Sequence, residues 1–275
     1  METIGERVVE DAMAPGPSAA LIATLDLDRL APGTGDPLAP GWHWLHFADV
    51  VAGARLGRDG HPAPGVVLPD TGLPRRMWAG GTIEAMAPLP LGRPAQRHTR
   101  VGAPVAKEGR SGPLAFVTAE HRIEGAAGLA LIERQDIVYR ADPDPSAPSP
   151  APVAAPADET ARRDWRLGPV ALFRYSALTF NGHRIHYDAD YARGVEGYPG
   201  LVVHAPLLAT LMLETAREVR PERFASAFTG RFAFRAVTPV FADEPFACCA
   251  RAEGTGLVLW VRAGDGRLAM RGTLD

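Results

Sequence analysis

The segment "APLLATLMLETAREVR", residues 205–220, predicts one long apolar helix. Its apolar side chains, with one threonine among them, recur at helical spacing and form a single stripe: Leu207, Leu208, Leu211, Met212 and Thr215. Pro206 suits the first turn of a helix, where the N–H that proline lacks is not needed. Pro221 follows the segment and ends the helix, because proline cannot continue the hydrogen-bond ladder.

Strand-like runs surround this helix. Upstream, "GPVALFRYSALTF", residues 168–180, is interpreted as a strand that runs into a polar corner. Downstream, three further runs are predicted as strands: 226–238, 244–254 and 257–266. The segment "AGDGR", residues 263–267, predicts a turn between the last two strands, because Gly and Asp favour turns.

The N-terminal part of the chain offers a similar set of elements. "GWHWLHFADVVAGA", residues 41–54, is interpreted as a helix. Four strand-like runs follow it: 79–89, 94–109, 114–125 and 128–140. A single helix wrapped by a curved antiparallel sheet is the hotdog arrangement, so two such sets predict an α+β double hotdog.

A stretch rich in Pro, Ala and Ser, residues 141–159, separates the two parts. It has almost no large apolar side chain, so we interpret it as an extended linker. The division predicts an N-terminal hotdog over 1–140 and a C-terminal hotdog over 160–275, each of ordinary domain size.

Composition restricts the possible partners and location. The formal charge of −3 gives no reason to expect binding to nucleic acid or to an anionic membrane. No apolar run reaches the ~18 residues that a membrane span needs. The N-terminus "METIGERVVEDAM" is polar and acidic, unlike a signal peptide. We therefore expect a cytoplasmic protein.

The two cysteines, Cys248 and Cys249, are adjacent and predict two small buried residues on opposite faces of a strand. Their number excludes a disulfide framework and a cysteine-based zinc site.

The segment "TFNGHRIHYDAD", residues 179–190, concentrates the chemistry. His183 and His186 lie three residues apart, and Asp188 and Asp190 follow them. A metal site, a proton-transfer site and a polar corner of the fold are all compatible with this pattern. Because the spacing is common by chance and strand residues alternate between faces, we expect no metal here. Asp188 is predicted to cap the short helical segment "ADYARG".

Two motifs in order, "YSALTFNGHRIHYDADYA" and "GYPGLVVHAPLLA", resemble the MaoC-like hydratase/dehydratase superfamily. The resemblance is closest to its two-domain branch, the mesaconyl-C4-CoA or itaconyl-CoA hydratases and the type 2 hydroxyacyl-thioester dehydratases. It covers most of both parts, since 73–81 and 107–123 are also similar to that branch.

The resemblance implies a hydro-lyase that hydrates an enoyl-CoA thioester or dehydrates a 3-hydroxyacyl thioester. The substrate is an acyl-CoA, such as mesaconyl-C4-CoA or itaconyl-CoA, or an acyl group on a carrier protein. Coenzyme A enters as part of the substrate, and no separate cofactor is expected. The N-terminal hotdog is expected to be non-catalytic and to shape the acyl pocket. Two hotdogs in one chain allow a monomer, while a homodimer is common for this fold.

The superfamily motif Asp-x-Asn-Pro-aliphatic-His places His186 at its catalytic histidine, Asn181 at its aspartate and His183 at its asparagine. Since an amide is neither acid nor base, proton transfer is expected to rest on His186, with His183 assisting. Asn181 either holds water or substrate or forms the "NG" turn.

Further site residues are expected near the predicted helix and in the N-terminal part. Amides at the helix start, from Ala205, are candidate oxyanion donors, with His204 and Tyr175 as neighbours that either contact substrate or pack. Arginines and the only lysine are candidates for the CoA phosphates or a substrate carboxylate: Lys107, Arg110, Arg75 and Arg76. For Lys107 and Arg110, a solvated hairpin turn is the alternative.

Two other function classes are compatible with a hotdog pocket. A thioesterase needs a carboxylate on the central helix to activate water, but Glu214 and Glu218 lie late on the predicted helix. A non-catalytic acyl-thioester binding module would share the pocket and need no histidine.

Overall fold

The computed structural model describes residues 4–109, 112–143 and 151–275, which form strands β1–β11 and helices α1–α4. The strands are β1 Ile4–Asp11, β2 Arg75–Ala85, β3 Ala95–Val101, β4 Val105–Gly109, β5 Gly112–Gly125, β6 Gly128–Arg140, β7 Ala161–Arg166, β8 Gly230–Ala236, β9 Pro245–Glu253, β10 Gly256–Ala263 and β11 Leu268–Leu274. The helices are α1 Gly16–Leu25, α2 Pro169–Leu178, α3 Ala189–Gly194 and α4 Ala205–Val219.

One antiparallel sheet holds these strands in the order β1-β3-β5-β6-β2-β8-β11-β10-β9-β7, with β4 paired to β5 outside this path. The N-terminal strands lie on one side of the β2–β8 pair and the C-terminal strands on the other. Gly80 at the start of that pair has a φ of +159° and lies at a bulge in the β2–β6 register. The sheet is therefore continuous from one half of the chain to the other.

Helix α4 is the predicted apolar helix of the C-terminal half. Every residue from Pro206 to Ala216 is buried, and the helix packs against β9, β10, β7 and β11. The predicted stripe lies in the core, where each buried leucine contributes about 1.5–3 kcal/mol relative to an exposed one. The helix also contacts β2, so it reaches the boundary with the other half.

The strand predicted over residues 168–180 is wrong, because this segment forms helix α2. Pro169 occupies its first turn after the extended Gly168. Leu172, Tyr175 and Ser176 are its buried residues, a spacing of three and four that belongs to a helix. The first strand of the C-terminal half is β7, which comes earlier in the chain.

The long helix predicted over residues 41–54 is also wrong. Two short 3-10 turns stand there instead, Trp42–Leu45 and Gly53–Arg55. Phe47 has a φ of +57°, and its N–H donates to Oδ2 of Asp11, which holds the chain away from a helical path. Helix α1 is the helix of this half, and it packs against α2. The described residues of the N-terminal half therefore include no helix as long as α4, and a cavity lies against strands β2, β3, β5 and β6.

The described part of the Pro-rich stretch follows the C-terminal half. The N–H of Ala155 donates to the carbonyl of Gly266 (2.9 Å), and Glu159 pairs with Arg262. Cys248 and Cys249 are both fully buried and pack into different apolar clusters, as predicted from their adjacency in a strand. Within the described ranges, no helix is both long and apolar enough to cross a membrane.

Candidate active site

A cavity of about 580 Å³ lies where the two halves meet. Its walls come from strands β3, β5, β6 and β2 of the N-terminal half and from residues 179–206 of the C-terminal half. Its volume is within the range of small-molecule sites. The segment that carries the predicted catalytic residues therefore faces a space large enough for an acyl group.

The segment between α2 and α3 is a compact loop held by its own side chains. Phe180 has a φ of +50°. Oδ1 of Asn181 accepts a hydrogen bond from the N–H of His183 (2.9 Å), which is the turn that an Asn-Gly pair favours. Residues Arg184–His186 then form a 3-10 turn. Asn181 is thus a turn former, and it also lines the cavity.

His186 lies in the wall of the cavity and is almost fully buried. Its Nδ1 is 2.7 Å from the carbonyl oxygen of Val202. Because a carbonyl only accepts, Nδ1 must carry the proton, and in the neutral imidazole Nε2 is then the atom with a free lone pair. The structure fixes His186 in the tautomer that can take a proton at Nε2.

The charge of His186 is set by its burial. Burial lowers the pKa of His186 to about 4, although the hydrogen bond to Val202 opposes the shift. The imidazole is therefore neutral near pH 7 and has the protonation state of a general base.

His183 stands beside His186, with ring centroids 5.4 Å apart and planes almost perpendicular. Its Nε2 is buried and has no hydrogen-bond partner among the described residues. Burial lowers the pKa of His183 well below its ordinary value, and the neighbouring His61 and His186 act in the same direction. His183 also lines the cavity, so the structure brings it together with His186 and Asn181.

His204 and Tyr175 lie behind His186 rather than in the cavity wall. The ring of His204 stacks on His186, and its Nε2 is 2.8 Å from Oγ of Ser176. Tyr175 is buried with its ring 4.9 Å from that of His204. Neither side chain is placed to touch a ligand in the cavity, so the expected substrate contacts of His204 and Tyr175 are not found.

Ala205 lines the cavity and is the first residue of α4. The first N–H groups of a helix have no intrahelical partner, and Pro206 contributes none, so the amide of Ala205 is a free donor of this end. Ala205 and His186 line the same cavity, and the ring of the preceding His204 stacks on His186. The cavity wall therefore contains both a candidate anion-stabilising donor and a candidate proton acceptor.

A loop of the N-terminal half joins the same cluster. His61 lines the cavity, and its ring centroid is 4.7 Å from that of His183. The carbonyl of Asp59 accepts the N–H of Arg184 (2.8 Å), and its carboxylate pairs with Arg76. His61 was not predicted from the sequence, because a lone histidine in "RDGHPAPG" has no motif around it. The adjacent Asp-Gly turn was the available signal.

The N-terminal strands present polar side chains to the cavity. Thr99, His121 and Glu133 are direct cross-strand neighbours on β3, β5 and β6. Glu133 is buried and accepts from Nε1 of Trp44 (2.7 Å), and His43 lies 3.1 Å away. Its pKa is lowered to about 2, because these partners and His121 outweigh the effect of burial. This part of the wall therefore carries a negative charge and several hydrogen-bonding groups.

The cationic residues predicted from the sequence are spread over different places. Arg76 lines the cavity, but its guanidinium is paired with both carboxylate oxygens of Asp59. Arg75 is buried, pairs with Glu196 at 2.5 Å and does not line the cavity, so the structure does not bring it to the site. Lys107 is exposed on β4 with its ammonium over the ring of Phe116. Arg110 lies outside the described residues.

The carboxylates weighed for other chemistry have structural partners. Glu214 is buried, does not line the cavity and pairs with Arg29 and Arg217. Oδ1 of Asp188 accepts the N–H of Tyr191 (2.9 Å) and caps α3, which confirms the predicted cap. Across the described ranges, no group of three or more His, Cys, Asp or Glu side chains is placed to hold a metal ion.

Comparisons with known proteins find a matching family model and a similar curated protein. The family model for hydroxyacyl-thioester dehydratase type 2 matches residues 41–242, more than half of the chain. A protein of Chloroflexus aurantiacus named mesaconyl-C(4)-CoA hydratase is 42% identical over 97% of this chain and 94% of its own length.

Solved structures show the same fold. A MaoC-like dehydratase of Phytophthora capsici has a TM-score of 0.70 at 13% identity, covering 98% of this chain and 94% of its own. A Mycobacterium tuberculosis protein described as a double hotdog has a TM-score of 0.60 at 15% identity, with the same two coverages. The predicted double hotdog and the MaoC-like resemblance are confirmed.

Proposed function

This chain belongs to the hydroxyacyl-thioester dehydratase type 2 family and is a hydro-lyase, and we propose that it hydrates a C5 dicarboxylyl-CoA thioester with His186 as the base. One observation carries the assignment of the base. Nδ1 of His186 is committed to the carbonyl of Val202, so Nε2 is the proton acceptor in a cavity that also contains the start of α4.

In the proposed hydration, His186 first accepts a proton and then donates it. Nε2 takes a proton from water as the water oxygen attacks the β-carbon of the enoyl thioester. The π electrons move to the thioester oxygen, and the amide of Ala205 stabilises the resulting enolate. The imidazolium of His186 then delivers its proton to the α-carbon. Dehydration is the reverse of these steps, so one histidine completes the proton balance.

Asn181 and His183 complete the site without carrying the main proton transfer. Oδ1 of Asn181 is occupied by the N–H of His183, which leaves the amide nitrogen to hold water or substrate. His183 adds a neutral imidazole beside the attacking water. We assign both to positioning the water at the β-carbon.

A short acyl group with a polar end matches part of the cavity wall. Strands β3, β5 and β6 present Thr99, His121 and Glu133 there, beside the apolar Val101, Ala119 and Ile137. The related Chloroflexus protein is named for mesaconyl-C(4)-CoA, whose acyl group carries a free carboxylate on the β-carbon. We therefore propose mesaconyl-C4-CoA as the substrate. Itaconyl-CoA, the second candidate, would have to move its double bond into conjugation with the thioester before water can add by these steps.

The remaining assignments follow from this substrate. Coenzyme A is part of the thioester, and the proposed reaction uses no further cofactor. We propose that the exposed Lys107 and the neighbouring Arg110 meet the phosphates of CoA outside the cavity. The protein is proposed to work in the cytoplasm as a monomer or homodimer.

Loss of the enoyl absorbance of mesaconyl-C4-CoA and crotonyl-CoA tests the activity, with release of free CoA followed in parallel. We expect hydration without free CoA, and His186→Gln is expected to lower kcat by ~10²–10⁴-fold with little change in substrate binding. His98→Gln, on β3 and outside the cavity wall, is the control. Near-normal turnover of His186→Gln overturns the assignment of the base, and free CoA as the main product indicates a thioesterase instead.

A further inference from the structure

The loop that carries His61 is locked onto the catalytic loop by backbone contacts. Gly60 and Gly182 face each other so closely that a Cβ on Gly60 would lie 2.0 Å from the carbonyl oxygen of Gly182. The N–H of Arg184 donates to the carbonyl of Asp59, and its guanidinium reaches the carbonyl of Arg58 (3.2 Å). His61 therefore has a fixed position relative to His183 and His186.

The carboxylate of Asp59 also stabilises the conformation of this loop. Its Oδ1 accepts the N–H of His61 (3.1 Å), while both carboxylate oxygens bind the guanidinium of Arg76. The guanidinium of Arg76 also donates a hydrogen bond to the carbonyl of Pro62 (2.8 Å). The positive charge of Arg76 is thus neutralised locally, and most of its donors are used.

The ring of His61, like Nε2 of His183, has no hydrogen-bond partner among the described residues. Within the described residues neither of its ring nitrogens makes a hydrogen bond, and the side chain is only half-buried and lines the cavity. Its ring touches His183, which in turn touches His186. A ligand group at His61 is therefore close to the atoms that react at His186.

We infer that His61 binds the free carboxylate on the β-carbon of the substrate and so selects carboxylated acyl groups. The inference rests on the proposed function, because that carboxylate is attached to the carbon that water attacks and must lie near His186. Burial and the nearby Arg76 lower the pKa of His61 to about 3, so the ring is neutral and offers one N–H to the carboxylate. Arg76 is occupied by Asp59 and Pro62, whereas His61 supplies the unoccupied donor.

Two matched CoA thioesters isolate this contact without requiring turnover. Methylsuccinyl-C4-CoA and isovaleryl-CoA are both saturated, so neither can be hydrated, and they differ by a carboxylate in place of a methyl group. Their dissociation constants are measured by isothermal titration calorimetry. We expect the wild-type protein to bind methylsuccinyl-C4-CoA at least ~10-fold more tightly than isovaleryl-CoA.

Two substitutions of His61 and one control test the residue. His61→Phe keeps a ring against His183 and removes both nitrogens. We expect it to weaken the binding of methylsuccinyl-C4-CoA by ~10- to 100-fold and to change the binding of isovaleryl-CoA by less than about twofold. His61→Gln keeps one N–H donor and is expected to recover part of the loss. His98→Phe, on β3 and outside the cavity wall, is the matched control and should change neither constant.

The outcomes separate this inference from the proposed function. If His61→Phe weakens both thioesters equally, or neither, His61 does not bind the carboxylate. If the wild-type protein hydrates crotonyl-CoA but binds the two saturated thioesters equally tightly, the inference that it selects carboxylated acyl groups is wrong, and its assignment as a hydro-lyase is unaffected. If the wild-type protein hydrates none of the enoyl-CoA thioesters, the proposed function itself fails.

Discussion

The imidazole of His204 stacks on that of His186 with ring centroids 3.6 Å apart and planes inclined by 18°. His204 is in turn held by Oγ of Ser176 and by the ring of Tyr175. His186 is therefore restrained twice, by the carbonyl of Val202 in its ring plane and by His204 on its face. These contacts fix the direction of Nε2, although His204 itself does not reach the cavity.

Removing the stacked ring should slow catalysis without weakening substrate binding. We expect His204→Ala to lower kcat by ~100-fold, because small misplacements of a catalytic group are costly, and to leave KM nearly unchanged. His204→Phe keeps a ring on His186 and should retain most of kcat. Steady-state kinetics of both variants check this. A rise in KM at constant kcat would instead mean that His204 contacts the substrate.

The value of kcat/KM should not fall near pH 6.5, where a histidine with an ordinary pKa becomes protonated. The base must be unprotonated, and burial lowers the pKa of His186 to about 4 in the free protein. We therefore expect kcat/KM to stay nearly constant from pH 7.5 to pH 5.5 and to fall only as the pH drops toward 4. A base with the ordinary pKa of ~6.5 would lose about tenfold at pH 5.5. Such a loss, in protein that circular dichroism shows to be folded, contradicts the assignment.

The same burial makes the fold sensitive to acid. The pKa values of His183, His186 and His204 are lowered in the folded protein, so below pH ~6.5 the unfolded chain binds protons that the folded chain does not. The free energy of unfolding should fall as the pH drops from 6.5 toward 4, each histidine adding up to about 1.4 kcal/mol per pH unit. Urea titrations at pH 7.5, 6.0 and 5.0 measure the slope. A stability that does not change between pH 7.5 and 5.0 would show that these histidines titrate normally.

Periodicity predicted the parts of the fold in which one face is apolar. Helix α4 was recognised from its leucine stripe, and the strands of both halves from short apolar runs between turns. Helix α2 was missed because Val170 and Phe173 on its exposed face hide the helical spacing of Leu172 and Tyr175. The 3-10 turn at Trp42 ends where His46 and Phe47 contact Asp11, which lies 35 and 36 positions earlier in the chain, and a local pattern does not contain that residue.

The site was predictable only where one segment carries it. His186, His183 and Asn181 lie within six residues and follow a motif, so the sequence identifies them together. His61 reaches the same cavity because β2 and β8 join the two halves and loop 57–62 docks on Gly182. That proximity is a property of the sheet, and no spacing along the chain encodes it.

Long apolar acyl groups should be poor substrates. Each methylene gains about 0.8 kcal/mol only when it leaves water for an apolar surface, and the wall around Glu133 and His121 is polar and partly charged. We expect kcat/KM for trans-2-decenoyl-CoA to be at least ~10-fold below that for crotonyl-CoA. The comparison needs concentrations below micelle formation. A preference for the longer chain would show that the cavity accommodates an apolar tail.

The contact between Gly60 and Gly182 provides a direct test of how the two halves build one site. Gly60 has a φ of +85° and Gly65 a φ of +81°, so alanine at either position meets the same left-handed penalty of about 1–2 kcal/mol. A Cβ on Gly65 meets nothing within 4 Å, whereas one on Gly60 meets the carbonyl of Gly182. Gly65→Ala should therefore lower stability slightly and leave kcat intact. Gly60→Ala should push the loop away from the catalytic segment and lower kcat/KM for mesaconyl-C4-CoA by ~10-fold or more beyond the control. Equal kinetics of the two variants, both folded by thermal melting, would show that docking of loop 57–62 does not position the site.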